Sequence, residues 1–218
     1  PDDMKMLSEN REKAKVAADH LLSLVNDILE LSILDEQNIE LVHEAFNIDQ
    51  LTSDVMTIVQ MRAVEYDVTL NCDAEKTDDT VLCVYGSPLH VRQILLNILS
   101  NAIKYNKPHG SVNVKIEMTD KNDSTVTYRY TISDTGIGMS KEFLEHIFEP
   151  FTQEHSDARS TFKGTGLGMA IVKSLVDKMN GTIEITSEEG AGSTFIVTLT
   201  FEIAEKPVEN KTEENRQQ

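Results

Sequence analysis

Three glycines at alternate positions, Gly164, Gly166 and Gly168, run directly into a helical pattern that extends over 166–180. Gly181 is predicted to end that helix in the left-handed conformation. A glycine loop of this kind leaves backbone N–H groups unpaired at the positive end of a helix, where they attract anions. The segment has neither the Gly-Lys-Ser/Thr ending of a P-loop nor the preceding strand of a dinucleotide-binding fold. Taken alone, it fits a phosphate-binding loop and an ordinary helix start equally well.

A second helix is predicted over 88–105 by the spacing of its apolar residues. Those residues cover one half of the helical wheel: Val91, Ile94, Leu95, Ile98, Leu99, Ala102 and Ile103. Asn97, Asn101 and Lys104 gather along one flank. Asparagine offers a carbonyl oxygen to Mg²⁺, which commonly takes few protein ligands and completes its coordination with substrate phosphates. The flank is therefore either a site for a metal ion and phosphates or an ordinary solvated surface.

A third motif follows a predicted strand that ends in the carboxylate of Asp134, with Gly136 and Gly138 at alternate positions beyond it. The carboxylate could accept a hydrogen bond from an amino group such as that of adenine. The glycines would let the backbone approach a flat ring without an intervening Cβ. Because Asp-Thr-Gly also forms ordinary turns, the motif alone leaves both interpretations open.

Helix and strand patterns are mixed along the chain without strict alternation. Strands are predicted at 45–48, 68–72, 81–85, 112–118, 125–132, 182–186 and 194–201, and a helix at 49–65 besides the two above. Tyr128, Tyr130 and Ile132 should share one face of their strand. A polar stretch at 140–163 contains one short predicted helix. The expected fold class is α/β, a two-layer sandwich of a mixed β-sheet with helices on one face.

Residues 5–37 carry a heptad pattern that predicts one long helix. Its two seams are formed by Leu7, Ala14, Leu21 and Ile28 and by Ala17, Leu24 and Leu31. A helix with this many apolar residues should pack in a bundle, and no partner helix of similar length lies next to it in the sequence. Either its partner helix lies outside this sequence or the helix pairs between chains; the alternative is an ordinary core helix of the domain that follows.

The net charge of −17 argues against nucleic-acid binding but allows a locally positive nucleotide site. No run of 18 apolar residues occurs, so no membrane contact is expected. The N-terminus does not resemble a secretory signal. Cys72 and Cys83 lie in apolar, strand-like stretches without metal-ligand spacing, which predicts buried thiols in a reducing cytoplasm.

The order and spacing of these motifs resemble the histidine-kinase branch of the Bergerat-fold ATPases, whose superfamily includes gyrase and the heat-shock chaperone ATPases. The resemblance extends from about Leu7 to Phe201. The leading helix is similar to the second helix of that family's dimerisation hairpin. Four sequence boxes of the family are matched: the asparagine box at Asn97–Tyr105, the first glycine box at Asp134–Met139, the phenylalanine box at Phe148–Phe151 and the second glycine box at Gly164–Gly168.

This resemblance implies ATP and Mg²⁺ as cofactors. Asn101 would ligate the metal, Lys104 and Tyr105 would contact the triphosphate, and Asn97 and Lys104 would take part in catalysis. Arg159 would reach the γ-phosphate from an ATP lid that spans about Met139–Lys163.

On the base side, the resemblance implies that Asp134 reads the adenine amino group, with Thr194 nearby through water. The implied nucleotide-binding set is Asn97, Asn101, Lys104, Tyr105, Asp134, Gly136, Gly138, Met139, Phe151, Arg159, Lys163, Gly164, Thr165, Gly166, Leu167, Gly168 and Thr194.

The family's phosphate-accepting histidine lies on the first hairpin helix, in a Ser-His-Glu-like context. None of the six histidines here has that context: His20, His43, His90, His109, His146 and His155. The expected organisation is a partial dimerisation hairpin (second helix and connector) at 1–43, an ATP-binding catalytic domain at 44–203 and a linker or tail at 204–218.

The full-length protein is expected to transfer the γ-phosphoryl group of ATP to a histidine that this sequence lacks, and then to an aspartate. That aspartate would belong to a response regulator or a fused receiver domain. The resemblance also implies a homodimer through the hairpin helices, and a cytoplasmic location that includes the cytoplasmic part of a membrane-anchored sensor.

Three alternatives belong to other functional classes. Gyrase-type ATPases place a glutamate at the position of Asn97 to activate water, and an amide cannot act as that base. Serine kinases of the anti-sigma type share the glycine boxes but lack the hairpin helix. A sensor that binds nucleotide without catalysis would keep every ATP contact, so only a transfer assay separates it from a kinase.

Overall fold

The computed structural model describes Arg11 and residues 40–74, 83–154 and 165–204. The chain divides into two compact units, Pro1–Ile39 and Glu40–Gln218. Apart from Arg11, the predicted helix at 5–37 lies outside the described residues, and so does the predicted tail from residue 205 onward.

Within the described part of the second unit, seven strands form one mixed sheet. They are β1 (Glu44–Asn47), β2 (Thr69–Ala74), β3 (Cys83–Gly86), β4 (Ser111–Lys121), β5 (Thr125–Asp134), β6 (Thr182–Glu188) and β7 (Gly192–Ile203). Their order is β1-β3-β7-β5-β4-β2, and β6 also pairs with β7. Neighbouring strands are antiparallel except β2 and β4, which are parallel. All seven predicted strands are confirmed, with ends that differ by up to three residues.

The described residues contain four helices: α1 (Ile48–Glu65), α2 (Pro88–Lys104), α3 (Lys141–His146) and α4 (Gly168–Lys178). Helix α2 contacts α1 and α4 and packs on β4 and β5. Alternate residues of the central strands form a buried layer, in which Tyr128, Tyr130 and Ile132 share the predicted face. The predicted sandwich of a mixed sheet and helices is confirmed.

Helix α2 is central to the core. Every apolar residue predicted for its inner half is buried, and Val91, Ile94 and Ile98 are 0% exposed. Burial of one such side chain contributes about 1.5–3 kcal/mol. Pro88 suits the first turn because its missing N–H would have no partner there.

A histidine at the start of α2 is buried as well, which the sequence did not indicate. The Nδ1 atom of His90 lies 2.6 Å from the Ser87 hydroxyl, and burial lowers the pKa of the imidazole. Ser87 precedes the first residue of α2 without capping it through its side chain, because its hydroxyl pairs with this ring.

The end of α4 corrects a sequence prediction. Asn180, with φ of 53°, takes the left-handed conformation that was predicted for Gly181. The Gly181 N–H donates to the Val176 carbonyl at 2.9 Å, one of the bonds of a Schellman ending. Glycine is required at 181 for close packing instead, since a Cβ there would lie 2.6 Å from the backbone carbonyl oxygen of Thr198. The prediction placed the left-handed residue one position too late.

The prediction of two buried thiols is also wrong for one of them. Cys83 is buried and Cys72 is exposed. Cys72 lies on β2, which pairs with a strand on one side only in the described part of the sheet. A position on an outer strand leaves its side chain accessible to solvent.

Candidate functional site

The carboxylate of Asp134 ends β5 in a half-buried position. Its Oδ1 atom accepts hydrogen bonds from the Gly136 N–H at 2.8 Å and from the Ser193 N–H at 3.3 Å. Burial raises the pKa of this carboxyl group, and the two backbone hydrogen bonds oppose that rise. Within the described residues Oδ2 accepts no hydrogen bond. The carboxylate is thus held in one orientation with its second oxygen available to a donor from a ligand.

The turn after Asp134 is pressed against two neighbouring segments. The Ile137 N–H donates to the Tyr105 carbonyl at 3.0 Å, and a Cβ at Gly136 would lie 2.5 Å from that carbonyl oxygen. Gly138 has φ of 68°, and a Cβ there would collide with the Glu188 carbonyl. Glycine is therefore required at 138 both by the backbone conformation and by the close approach of β6.

The predicted polar strip of α2 lies beside this turn. Asn97, Asn101, Lys104 and the following Tyr105 are all half-buried. The Lys104 ammonium donates to the Tyr105 hydroxyl at 2.9 Å and lies 4.6 Å from the centre of its ring. The Asn101 side-chain amide makes no hydrogen bond with any described residue. Its carbonyl oxygen could therefore act as a ligand for a hard cation.

The second glycine box leads into α4, whose first residue is Gly168. Among the described residues no side chain caps this helix, so the N–H groups of its first turn can face an anion. The Asn97 side-chain amide donates to the Gly168 carbonyl at 3.2 Å and joins the strip to the helix start. Gly166, with φ of 73°, accepts a hydrogen bond from the Phe151 N–H at 3.0 Å.

The two ends of the site are therefore joined to one helix. Asn97 contacts the start of α4, and Tyr105 contacts the turn after Asp134. At 1.5 Å of rise per residue these contacts lie roughly 12 Å apart along α2. An elongated ligand could place a hydrogen-bond donor at one end and an anion at the other.

Other predicted site residues line the same region with smaller roles. The Thr194 hydroxyl pairs with that of Ser133 at 2.9 Å, on the strands that carry Asp134 and Ser193. The Met139 N–H donates to the Ser187 hydroxyl at 2.9 Å. Leu167 is 0% exposed, so its side chain belongs to the core and only its backbone can face a ligand. Thr165 is half-buried in the loop before α4.

Part of the predicted site cannot be placed. Arg159, Lys163 and Gly164 lie outside the described residues, as does the part of the predicted lid at 155–163. Phe151 is described, and its ring is 62% exposed while its backbone contacts Gly166.

Two polar residues that support the site were missed by the sequence reasoning. The Ser187 hydroxyl bonds to Met139, to the Gly192 carbonyl and to the Ser193 hydroxyl. Asn106 bonds to residues of three segments around the end of α2. Met139 is 48 positions from Ser187, and Thr135 is 29 positions from Asn106. Only the tertiary structure brings these pairs together.

The described residues contain no group of three or more His, Cys, Asp or Glu side chains that could hold a metal ion. The available oxygen of Asn101 fits a cation that takes most of its ligands from phosphates and water, as Mg²⁺ does. No described helix is long and apolar enough to cross a membrane.

The fold and the site define a class of ATP-binding protein. Residues 86–203 match the model of the histidine kinase-, DNA gyrase B- and HSP90-like ATPase family, and the chain belongs to that family. Within it the described domain is an ATP-binding catalytic domain of the sensor histidine kinase type, as the following relatives and structures bear out.

Sensor proteins are among the curated relatives. The chain is 34% identical over 183 residues to the sensor protein GacS of Pseudomonas syringae pv. syringae, covering 84% of the chain and 20% of the relative. It is 34% identical over 193 residues to the circadian input-output histidine kinase CikA of Synechococcus elongatus, covering 88% and 25%. The chain therefore spans about a fifth to a quarter of these relatives.

Solved structures agree with this assignment. The full-length structure of ShkA in complex with AMPPNP superposes with a TM-score of 0.70 at 31% identity, covering 86% of this chain and 37% of that one. The catalytic domain of the histidine kinase ThkA gives a TM-score of 0.58 at 23% identity, covering 74% and 95%, and supports the fold alone.

Proposed function

We propose that this chain is the ATP-binding catalytic region of a sensor histidine kinase that transfers the γ-phosphoryl group of ATP to a histidine. The observation that carries the proposal is the Asp134 carboxylate, fixed through Oδ1 by two backbone donors and open at Oδ2. At the other end of the same cleft lies the uncapped start of α4. One end suits a base with an amino group, and the other suits phosphates.

The base end favours adenine over guanine. Oδ2 of Asp134 would accept a hydrogen bond from the adenine amino group, with Thr194 contributing through water. Guanine presents a carbonyl oxygen at the corresponding position, which would face the carboxylate with no proton between them. Such an unpaired, desolvated acceptor pair costs about 1–3 kcal/mol.

The phosphate end would use Lys104, Tyr105 and the N–H groups of α4, with Asn101 as the protein ligand of Mg²⁺. The metal ion would neutralise charge on the phosphates when it is bound. Phosphoryl transfer requires mainly positioning and charge neutralisation from the protein. Lys104 supplies a fixed positive charge beside the strip in a chain whose net charge is −17.

Asn97 favours transfer to a protein side chain over hydrolysis. Its amide donates to the Gly168 carbonyl, which fixes the start of α4 against the strip. An amide cannot remove a proton from water, so rapid hydrolysis has no base at this position. The catalytic role of Asn97 would be to hold the phosphate-binding helix in place.

The proposed partners follow from the same assignment. The histidine would belong to a dimerisation hairpin, with 1–43 as its second helix and connector and 44–203 as the catalytic domain. The phosphoryl group would pass to an aspartate of a response regulator or a fused receiver domain, in the cytoplasm. The name of one relative, hybrid signal transduction histidine kinase B of Dictyostelium discoideum (31% identical, 85% of this chain and 9% of the relative), supports the fused arrangement.

Calorimetric titration of the 218-residue chain with ATP and GTP, in the presence of Mg²⁺, tests the nucleotide assignment. We expect tighter binding of ATP, and we expect Asp134→Ala to weaken ATP binding by about 1–3 kcal/mol. Equal affinities for the two nucleotides, unchanged by the substitution, would refute the base-reading role of Asp134.

A further inference from the structure

Besides the backbone bond from Ile137 to Tyr105, the end of α2 and the turn after β5 are joined through the side chain of a residue outside the matched sequence boxes. Asn106 follows directly after Tyr105, and its half-buried amide has its oxygen and nitrogen both in use. The nitrogen donates to the Ala102 carbonyl and to the Ser111 carbonyl, each at 3.0 Å. The oxygen accepts from the Lys107 N–H at 2.9 Å and from the Thr135 hydroxyl at 3.1 Å.

These four hydrogen bonds connect three segments. Ala102 belongs to the last turn of α2, and its carbonyl accepts from the Asn106 side chain. Ser111 begins β4, and Thr135 follows Asp134 in the turn after β5. Asn106 therefore ties the end of the helix to the two strands beside it.

Thr135 completes the connection. Its hydroxyl oxygen accepts from the Ser111 N–H at 2.9 Å and lies within donating distance of Asn106 Oδ1, at 3.1 Å, and of the Ser111 carbonyl, at 3.4 Å. Its backbone N–H donates to the Ser111 carbonyl at 3.1 Å. The threonine is thus held from both its side chain and its backbone. Any movement of the turn relative to α2 must break the bond between Asn106 and Thr135.

The position of this bond gives it a consequence for ligand binding. Asn106 is one residue from Tyr105 and two from Lys104, the two side chains proposed to contact the triphosphate. Thr135 is one residue from Asp134, at the base end. The bond between them therefore ties the turn that carries Asp134 to the helix end that carries Lys104 and Tyr105.

We propose that Asn106 is a positioning residue, which acts through Thr135 to fix the base-reading carboxylate of Asp134 relative to the helix end that bears Lys104 and Tyr105. The inference rests on the proposed function. Asn106 itself touches no ligand. The expected effect is on ligands that contact both Asp134 and the helix end with Lys104 and Tyr105. Only such ligands gain from a fixed spacing between these groups.

Three ligands distinguish an effect on the spacing of the binding groups from a general loss of stability. ATP spans both ends, adenosine occupies the base end, and inorganic triphosphate occupies the phosphate end. We expect Asn106→Ala to weaken ATP binding roughly tenfold, about the value of one lost hydrogen bond, and to change adenosine and triphosphate binding less than about threefold. Competition against a fluorescent ATP analogue at fixed Mg²⁺ measures all three.

Asn122 provides the matched control. It also makes several side-chain hydrogen bonds, to Ser124 and Thr125, but it lies in the turn between β4 and β5 at the far end of both strands from Asp134. Asn122→Ala removes side-chain hydrogen bonds far from the site and should leave all three affinities unchanged.

If Asn106→Ala does not fold, variants of Thr135 test the positioning role instead, because the Thr135 side chain is exposed and its replacement should not unfold the chain. Thr135→Val should reproduce the selective loss of ATP affinity, and Thr135→Ser, which keeps the hydroxyl, should restore it. If Asn106 acts through Thr135, the double variant Asn106→Ala/Thr135→Val should bind ATP no more weakly than Asn106→Ala alone.

The outcomes distinguish this inference from the proposed function. If the unmutated chain binds ATP and both Asn106→Ala and Thr135→Val leave the ratio of ATP to adenosine affinity unchanged, the positioning role is wrong and the proposed function stands. If the unmutated chain binds no ATP, the proposed function fails and the positioning role fails with it.

Discussion

At the scale of single residues, Asp134 shows a conflict between stability and binding. Burial raises the pKa of its carboxyl group, so the native state would be more stable with a neutral group at this position. Two backbone N–H groups compensate in part by donating to Oδ1. A costly charge that is held in a fixed orientation, with one oxygen open, is typical of a binding residue.

We predict that Asp134→Asn stabilises the chain near neutral pH and weakens ATP binding. When folding raises the pKa of a carboxyl group, the charged group destabilises the folded state. This cost is complete above the pKa of the folded state and disappears as the pH falls toward the ordinary pKa of aspartate. The gain in the free energy of unfolding should therefore be largest near pH 7 and vanish below about pH 4. Urea unfolding of the unmutated chain and of Asp134→Asn across this pH range measures the gain in the free energy of unfolding. A gain that grows as the pH falls would contradict a raised pKa for Asp134.

Gly138 illustrates how a single missing side chain permits a close approach. We predict that Gly138→Ala lowers the free energy of unfolding by more than Gly190→Ala does. Both glycines have positive φ, 68° and 78°, so each substitution bears the left-handed penalty of about 1–2 kcal/mol. Only the Cβ at 138 would also collide with the Glu188 carbonyl, whereas position 190 has open space. Equal losses in urea unfolding would show that the turn and β6 separate without cost.

At the scale of secondary structure elements, α2 serves as core and as site at once. Its inner half is packed on the sheet, while the flank with Asn97, Asn101 and Lys104 lines the cleft. Because the two stripes share one backbone, the packing of the apolar half fixes the orientation of the polar strip. The site therefore depends on core residues that never touch a ligand.

We predict that Ile98→Ala lowers the free energy of unfolding by about 2–5 kcal/mol, because the side chain is fully buried and its removal leaves a cavity. Ile58→Ala on α1 is the matched control, since that side chain is 44% exposed, and its effect should stay within about 0.5 kcal/mol. Chemical denaturation of the two variants compares them. A loss at Ile98 as small as at Ile58 would mean that α2 does not hold the core.

At the scale of the whole molecule, the site is assembled from segments distant in sequence. The base end combines the turn after β5 with the start of β7, because Ser193 donates to Asp134 across 59 positions. The phosphate end combines α2 with the start of α4 across 71 positions. Both junctions exist only once the sheet and its helical layer have formed.

We predict that the 218-residue chain with γ-labelled ATP neither labels itself nor releases phosphate rapidly. A separately supplied hairpin that carries the family's histidine box should become labelled, slowly, because the reaction is then bimolecular. Acid treatment checks the product, since phosphohistidine is acid-labile. Acid-stable label on the chain alone would indicate a serine kinase, rapid phosphate release an ATPase, and no label under any condition a nucleotide-binding sensor.

Local sequence patterns determined the elements of this protein. The period of apolar residues in α2 and the alternation of Tyr128, Tyr130 and Ile132 predicted helix, strand and buried face, because burial selects side chains at the repeat of the backbone. The glycine boxes and Asp134 were likewise visible, since close backbone approaches demand glycine wherever they occur. The exact ends of elements, such as the left-handed residue at Asn180, were less well determined, because Asn and Gly both adopt that conformation.

Only the tertiary structure decided which neighbours these residues have. The exposure of Cys72 on an outer strand, the bond from Met139 to Ser187 and the bond from Thr135 to Asn106 follow from how the strands and helices are arranged. No local pattern encodes such contacts, because a hydrogen bond between distant segments leaves no periodic trace in either of them. The sequence predicted which groups would bind a nucleotide, and the sheet and its helices decided how far apart those groups are held.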